Sequence, residues 1–401
     1  MKIILKYIYP YFFYLFCFAI PLDKYATAVP NIILIVLLAL FPFVVKKSDF
    51  KKLLKKEVLL FIILIAYISI NMLLFQEVER DINIVQKIFS SFLLLTLFIP
   101  INKTENLNKT IIISVLICIG VSLFNLFGFY LQTGEFNFAD GTAVNEVLII
   151  DRVYLGFLCV LSVIASIGLM GNKYKLLYLA NIILCILFTL LISSRIAIIL
   201  LLLLLVLLIF YSKNKKQYII FFACVFAITI AAFKFNKNLG ERFFYTQSSE
   251  SKKSYVELFM AWEPRVVIWE CNYNILKNDT QLLIGNGFYG TKDKLVSCYD
   301  GLINKDDKRN YFIAERFNPH NQYFDFLLSY GILALLLFLS IFITALYKYR
   351  KSYYKMALIF TIMAFAFIES FFQRQIGGFL FSIIFISILY PMYIERSKQP
   401  K

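Results

Sequence analysis

The stretch SSRIAIILLLLLLVLLIFY, residues 193–211, decides the fold. From Ile196 to Tyr211 it carries no charge, while Ser193, Ser194 and Arg195 stand before it and Lys213, Lys215 and Lys216 after it. A segment with no solvated face belongs in hydrocarbon or deep inside protein. Comparable runs recur at 5–22, 27–45, 58–75, 84–101, 111–131, 149–170, 176–193, 218–233, 322–345, 354–372 and 376–394. At 60% hydrophobic, 16% charged and a mean hydropathy of +0.75, the chain is more apolar than any soluble core requires. The expected fold class is an all-α polytopic membrane protein with about twelve transmembrane helices.

Charge sets the expected orientation, because lysine-rich short loops stay on the cytoplasmic side. Residues 46–57 carry six lysines, and further basic residues fall at Lys173 and Lys175, at Lys213–Lys216, at Lys348–Lys355 and in the tail; the alternate connections have few. Both termini are therefore expected on the cytoplasmic side of the membrane. The net charge of +16 reads as topology, with the lipid bilayer as partner and no nucleic acid. Lys2 and Lys6 ahead of an apolar run, with Ala26-Thr27-Ala28 behind it, also resemble a signal peptide, but the next run follows at once.

One connection breaks the rhythm of short loops. Residues 234–321 are too long for a simple turn and contain apolar positions at helical spacing (Val266, Trp269, Tyr273, Leu276), so a small extracytoplasmic subdomain is expected between helices 9 and 10. The organisation is then 1–233 for helices 1–9, 234–321 for the outer subdomain, and 322–401 for helices 10–12 and the tail. Pro264 suits the first turn of a helix that would place Arg265 and Trp269 one turn apart on one face. Residues 245–253, rich in Ser, Gln and Lys, read as a surface stretch.

Several side chains stand out chemically. His320, the single histidine, lies in FNPHNQY (317–323) where the outer segment enters an apolar run. An imidazole there suits proton transfer, or caps a helix. Arg195, at membrane depth, demands compensation: a phosphate gripped bidentately, or a snorkelling role that sets topology. Arg265 adds a second permanent cation. Arg152 could be a third, or could pair with Asp151. Glu369 and Arg374 flank the last hairpin and either staple it or touch substrate. Gly285 to Gly290 matches the spacing of a dinucleotide fingerprint, which also requires a strand before it, so a turn bringing backbone N–H groups to a ligand or to the bundle is the better reading. Cys271 and Cys298 could bridge within the outer subdomain; Cys17, Cys118, Cys159, Cys185 and Cys224 fall in apolar runs. One histidine cannot build a usual zinc site, and no metal or cofactor is expected.

Taken in order, Ser194-Arg195, Arg265 with Trp269, Gly285 to Gly290, His320-Asn321 and Tyr330-Gly331 resemble the bacterial O-antigen ligase and O-antigen polymerase family, over residues 190–345. The resemblance implies a metal-independent, inverting glycosyltransferase of surface polysaccharide biosynthesis. Its donor would be a glycan on undecaprenyl diphosphate and its acceptor a sugar hydroxyl, on a lipid A core for a ligase or on a lipid-linked repeat unit for a polymerase. It assigns Arg195 and Arg265 to the diphosphate and His320 to the acceptor, with Arg152, Trp269, Asn321, Glu369 and Arg374 as substrate contacts. A polysaccharide transporter or flippase would also use about twelve spans, although such proteins favour paired repeats.

Overall fold

The computed structural model describes residues 2–22, 24–25, 28–134, 141–171, 173–212, 214–235, 263–278 and 281–392. Among these, every regular element is helical. The first ten helices are α1 (Lys2–Ala19), α2 (Ala28–Val44), α3 (Lys56–Phe75), α4 (Val78–Leu97), α5 (Glu105–Thr133), the short α6 (Gly141–Val147), α7 (Arg152–Leu169), α8 (Lys175–Leu191), α9 (Arg195–Tyr211) and α10 (Lys215–Phe235). Then come α11 (Pro264–Asn278), α12 (Gly287–Leu302), α13 (Asp306–Glu315), α14 (Gln322–Tyr349), α15 (Tyr353–Ile368) and α16 (Gln375–Leu389).

Each apolar run read from the sequence coincides with one helix. Fewer qualify as crossings by themselves: among the described residues five helices are long and apolar enough, or six if the bent Ala28–Val44 and Lys47–Leu54 pair counts as one. For four of the others the reason is length. Helices α8, α9, α15 and α16 have 15–17 residues, so they rise about 22–26 Å against roughly 30 Å of hydrocarbon. The run 354–372 illustrates it: α15 stops at Ile368, and Phe371 and Phe372 turn inward in a 3-10 turn, both fully buried.

Helices α7 and α16 are buried on nearly all sides, as expected of segments hydrophobic all round. Around them α3 packs along α14, α5 and α8 along α7, and α4 along α16. Helices α11, α12 and α13 form a second, smaller core of Val267, Ile268, Cys271, Ile275, Leu295, Tyr299, Ile303 and Phe312, joined by Leu328 of α14. The sequence pattern chose a stripe next to the true one on α11. Tyr273 is 60% exposed, whereas Ile268 and Cys271 are sealed in, because α12 covers the Cys271 face. Cys271 and Cys298 form a disulfide across that contact, with Cα atoms 5.8 Å apart. Cys17, Cys118, Cys159 and Cys185 are free and buried. The side chain of Cys224, and residues 245–253 with Tyr255, lie outside the described residues.

The joint between the two cores is a backbone splice. Gly331 departs from helical geometry inside α14 (φ 77°, ψ −177°), which frees the Leu328 carbonyl and the Ile332 amide from the helix ladder. The turn 281–286 supplies both partners: Asn286 N–H donates to Leu328 at 2.9 Å, and Ile332 N–H donates to Leu282 at 2.9 Å. Gly331 and Gly285 are required by contact, since a Cβ at Gly331 would lie 2.1 Å from the Leu283 oxygen and one at Gly285 2.4 Å from the Ser329 backbone. No strand precedes the turn, and α11 leads into it, so a dinucleotide-binding arrangement is absent here.

Asp81, at the start of α4 and 1% exposed, completes the joint. Its carboxylate accepts from Phe288 N–H at 2.8 Å, Tyr289 N–H at 2.9 Å and the Tyr330 hydroxyl at 2.9 Å. The acid thus satisfies the opening amides of α12 while anchoring α14. Asp81→Ala is expected to cost roughly 3 kcal/mol or more, since three hydrogen bonds to a buried charge are lost together. A lowered thermal unfolding midpoint, with faster proteolysis within residues 281–290, is the readout. Peptide mapping of protein isolated without reductant should recover the Cys271 and Cys298 peptides joined; free thiols at both would contradict the pairing.

Candidate functional site

The site lies where α9, α11, α14 and the α15–α16 connection meet. Arg195 occupies the first position of α9 behind Ser194, a tight start in which Ser193 adopts a left-handed φ of 52°. Gly156 of α7 allows this approach, because a Cβ there would collide with the Ser194 side chain at 2.2 Å. Arg265 follows Pro264 in the first turn of α11. The two guanidinium groups converge on one carboxylate: Glu263 receives Arg195 Nη2 at 2.6 Å and Arg265 Nη1 at 3.3 Å. Arg265 also donates from Nε to the Ile368 carbonyl at 3.2 Å and faces Glu369 at 3.9 Å. Glu369 lies 3.4 Å from His320 Nδ1. An unbroken chain of contacts, Arg195–Glu263–Arg265–Glu369–His320, therefore runs across four elements.

His320 is held by its backbone. It takes a left-handed φ of 45°, stabilised by Asn318 Oδ1 accepting its N–H at 2.9 Å. From α11, Trp269 Nε1 donates to the His320 carbonyl at 3.4 Å and Asn272 to the Pro319 carbonyl at 3.0 Å. The imidazole stays partly open, with 21% of its side chain exposed, beside a Glu369 side chain only 6% exposed. Burial by itself would raise the Glu369 carboxyl; His320, then Arg265 and Arg374, outweigh it and hold the group below the ordinary carboxylate value.

The remaining site residues from the sequence occupy different roles. Asn321 caps α14, its Oδ1 accepting from Tyr323 N–H at 2.9 Å and Phe324 N–H at 3.1 Å, and its own N–H donates to Ser370. The helix cap at this junction is thus Asn321, one residue beyond the histidine. Trp269 positions the His320 backbone and lays its ring 5.5 Å from Phe367. Arg374 pairs with Asp151 rather than with Glu369, and its guanidinium sits 5.5 Å over the Tyr154 ring. Arg152, 4% exposed, donates to the Ile192 carbonyl at 3.4 Å and so braces the turn that presents Arg195.

Sequence reading missed three contributors. Glu263 carries the arginine bridge, and its only signal was an acid immediately before Pro264. Ser370 and Asn272 fix the histidine segment through main-chain contacts, which no residue pattern announces. Tyr154 is 1% exposed, and its hydroxyl has no hydrogen-bond partner although it lies in the field of Glu369, Arg374 and Asp151. Among the described residues no group of three or more His, Cys, Asp or Glu side chains gathers in a way that could hold a metal ion.

A helical membrane protein whose smaller core and main bundle share one arginine, carboxylate and histidine chain is the class that fold and site define. Residues 179–339 match the family model described as O-Antigen ligase, and over this segment the chain is similar to that family. The match holds Arg195, Glu263, Arg265, Trp269, the glycine turn and His320; Glu369 and Arg374 lie beyond it. No curated protein matches the chain.

The depressed Glu369 carboxyl has a consequence for acid stability. A carboxyl whose folded value lies below its ordinary 4.5 adds stability that is complete above that pH and fades as pH falls through the lowered value. Thermal midpoints measured through that acid window should fall less steeply in Glu369→Gln than in the wild type. Parallel slopes would remove the assignment.

Proposed function

We propose that the protein is an O-antigen ligase-like glycosyltransferase that moves a glycan from undecaprenyl diphosphate to a sugar hydroxyl in surface polysaccharide biosynthesis, at the outer face of the inner membrane. One observation carries the reading: two permanent cations and one carboxylate-supported imidazole are strung on a single chain of contacts.

In this reading Arg195 and Arg265 hold the diphosphate. Guanidinium groups keep their charge at a partly dry interface and grip phosphate oxygens in pairs. Glu263 fixes their spacing before substrate arrives, so little reorganisation is needed as negative charge develops. Glu369 accepts from His320 Nδ1–H and thereby selects the tautomer whose Nε2 lone pair is open to the acceptor. The acceptor hydroxyl gives its proton to Nε2 as its oxygen bonds to the anomeric carbon. The bond from that carbon to the diphosphate oxygen breaks, and the leaving electron pair settles on a group already facing two arginines. Entry opposite the leaving diphosphate inverts the anomeric centre. The protein needs no cofactor in this scheme.

His320→Ala is expected to lower transfer by about 10²–10⁴-fold, the usual worth of a positioned base. Arg265→Lys should recover little of the loss seen in Arg265→Ala, because a point charge cannot reproduce a planar two-pronged contact. The assay is transfer of lipid-linked glycan to acceptor in reconstituted vesicles, with membrane insertion checked in parallel; wild-type-like product from His320→Ala would refute the base assignment. Gel analysis of surface polysaccharide after gene deletion separates the two acceptors. Lipid-linked polymer left unattached marks a ligase, and single-repeat products mark a polymerase.

A further inference from the structure

At the end of α14 remote from His320, the α14–α15 hairpin borders an open cavity of about 520 Å³. Lys348, Arg350, Lys351 and Lys355 line it, together with Tyr347 and Tyr349. Lys348 is 3.0 Å from Glu57, a carboxylate with 0% exposure at the start of α3. Lys55 lies next to that pair: burial and then the Lys348 charge hold its amine below the ordinary lysine value. A single buried acid therefore faces several cations.

Their arrangement exceeds what membrane orientation requires. Scattered lysines such as Lys47 and Lys51, both exposed, already supply the topological bias. Here Lys355 is half-buried, and two of the cations lie over aromatic faces. The Lys355 ammonium sits 4.1 Å from the Tyr349 ring centre, and the Arg350 guanidinium 4.8 Å from that of Tyr347. Glu57 offsets part of the mutual repulsion among these like charges, and an anion placed among them would offset more of it. The cavity falls in the size range of ligand sites, and its tyrosines are the residues that favour the headgroup level of a bilayer.

We propose that this cavity binds a phosphate-bearing anion supplied by the headgroup of an acidic lipid, at a site separate from the catalytic chain and independent of the transferase reading. Basic pockets between helix ends at a membrane surface select such headgroups by charge, and each lysine contributes about a factor of five in affinity near an anionic surface.

The test is the thermal unfolding midpoint of the purified full-length protein in detergent, titrated with phosphatidylglycerol, phosphatidylcholine or inorganic phosphate. Phosphatidylglycerol should raise the wild-type midpoint at concentrations where phosphatidylcholine does not. Lys351→Gln/Lys355→Gln should weaken that response at least tenfold, while Lys47→Gln/Lys51→Gln, a charge-matched control outside the cavity, should leave it intact. Arg350→Gln/Lys351→Gln, altering two exposed side chains, carries the test if the first variant does not fold. Inorganic phosphate reproducing the shift, with loss in the same variants, would keep the site and reassign its source to soluble phosphate. Equal responses to both lipids, or equal loss in the control, would overturn the proposal.

Discussion

The structure depends on one exchange of backbone hydrogen bonds, between the turn 281–286 and the broken α14. A helix interrupted beside hydrocarbon leaves a carbonyl and an amide with no water to bind, and each costs free energy unless protein supplies a partner. The turn supplies both, and it can approach closely enough only because Gly285 and Gly331 lack side chains. Asn71 of α3 and Gln76 just after it secure the arrangement by donating to the Ile284 and Gly285 carbonyls at 2.9 and 3.2 Å. The main bundle and the small second core are consequently spliced through main chain, and the site inherits its geometry from that splice.

From this joint the geometry of the candidate site follows by short steps. The upper piece of α14 carries Asn321 at its cap, and the histidine precedes the cap by one residue. Helix α11 reaches the same segment through Trp269 and Asn272, and presents Arg265 from its first turn. The disulfide ties α11 to α12, and Asp81 fastens α12 to α4. Arg265 thus reaches the bundle along a path of covalent and charge-assisted links. Arg195 arrives from the other direction, on a helix start packed against Gly156.

Much of this was legible in residues. Uncharged runs declared the helices, since composition is what hydrocarbon selects. Arg195, Arg265 and His320 were visible because each is chemically expensive where it stands. Less legible were features that depend on tertiary direction. The buried stripe of α11 is chosen by where α12 lies, so Val266 and Tyr273 were as plausible as Val267 and Cys271. Glu263 and Asp81 looked like ordinary acids at helix starts, and their partners are 68 and over 200 residues away. Span count resists reading for another reason: an apolar run records affinity for hydrocarbon, whereas helix length is also set by turns such as the one that draws Phe371 and Phe372 inward.

The left-handed backbone at position 320 bears on how the site can change over evolutionary time. Neighbours grip carbonyls and an amide there, so the cradle is indifferent to which side chain it displays. The dihedral is not indifferent: it admits Asn, Asp or Gly readily and penalises β-branched residues. Drift at this locus is thereby channelled toward small polar replacements, which would leave the neighbouring arginines in place while changing the group displayed beside Glu369.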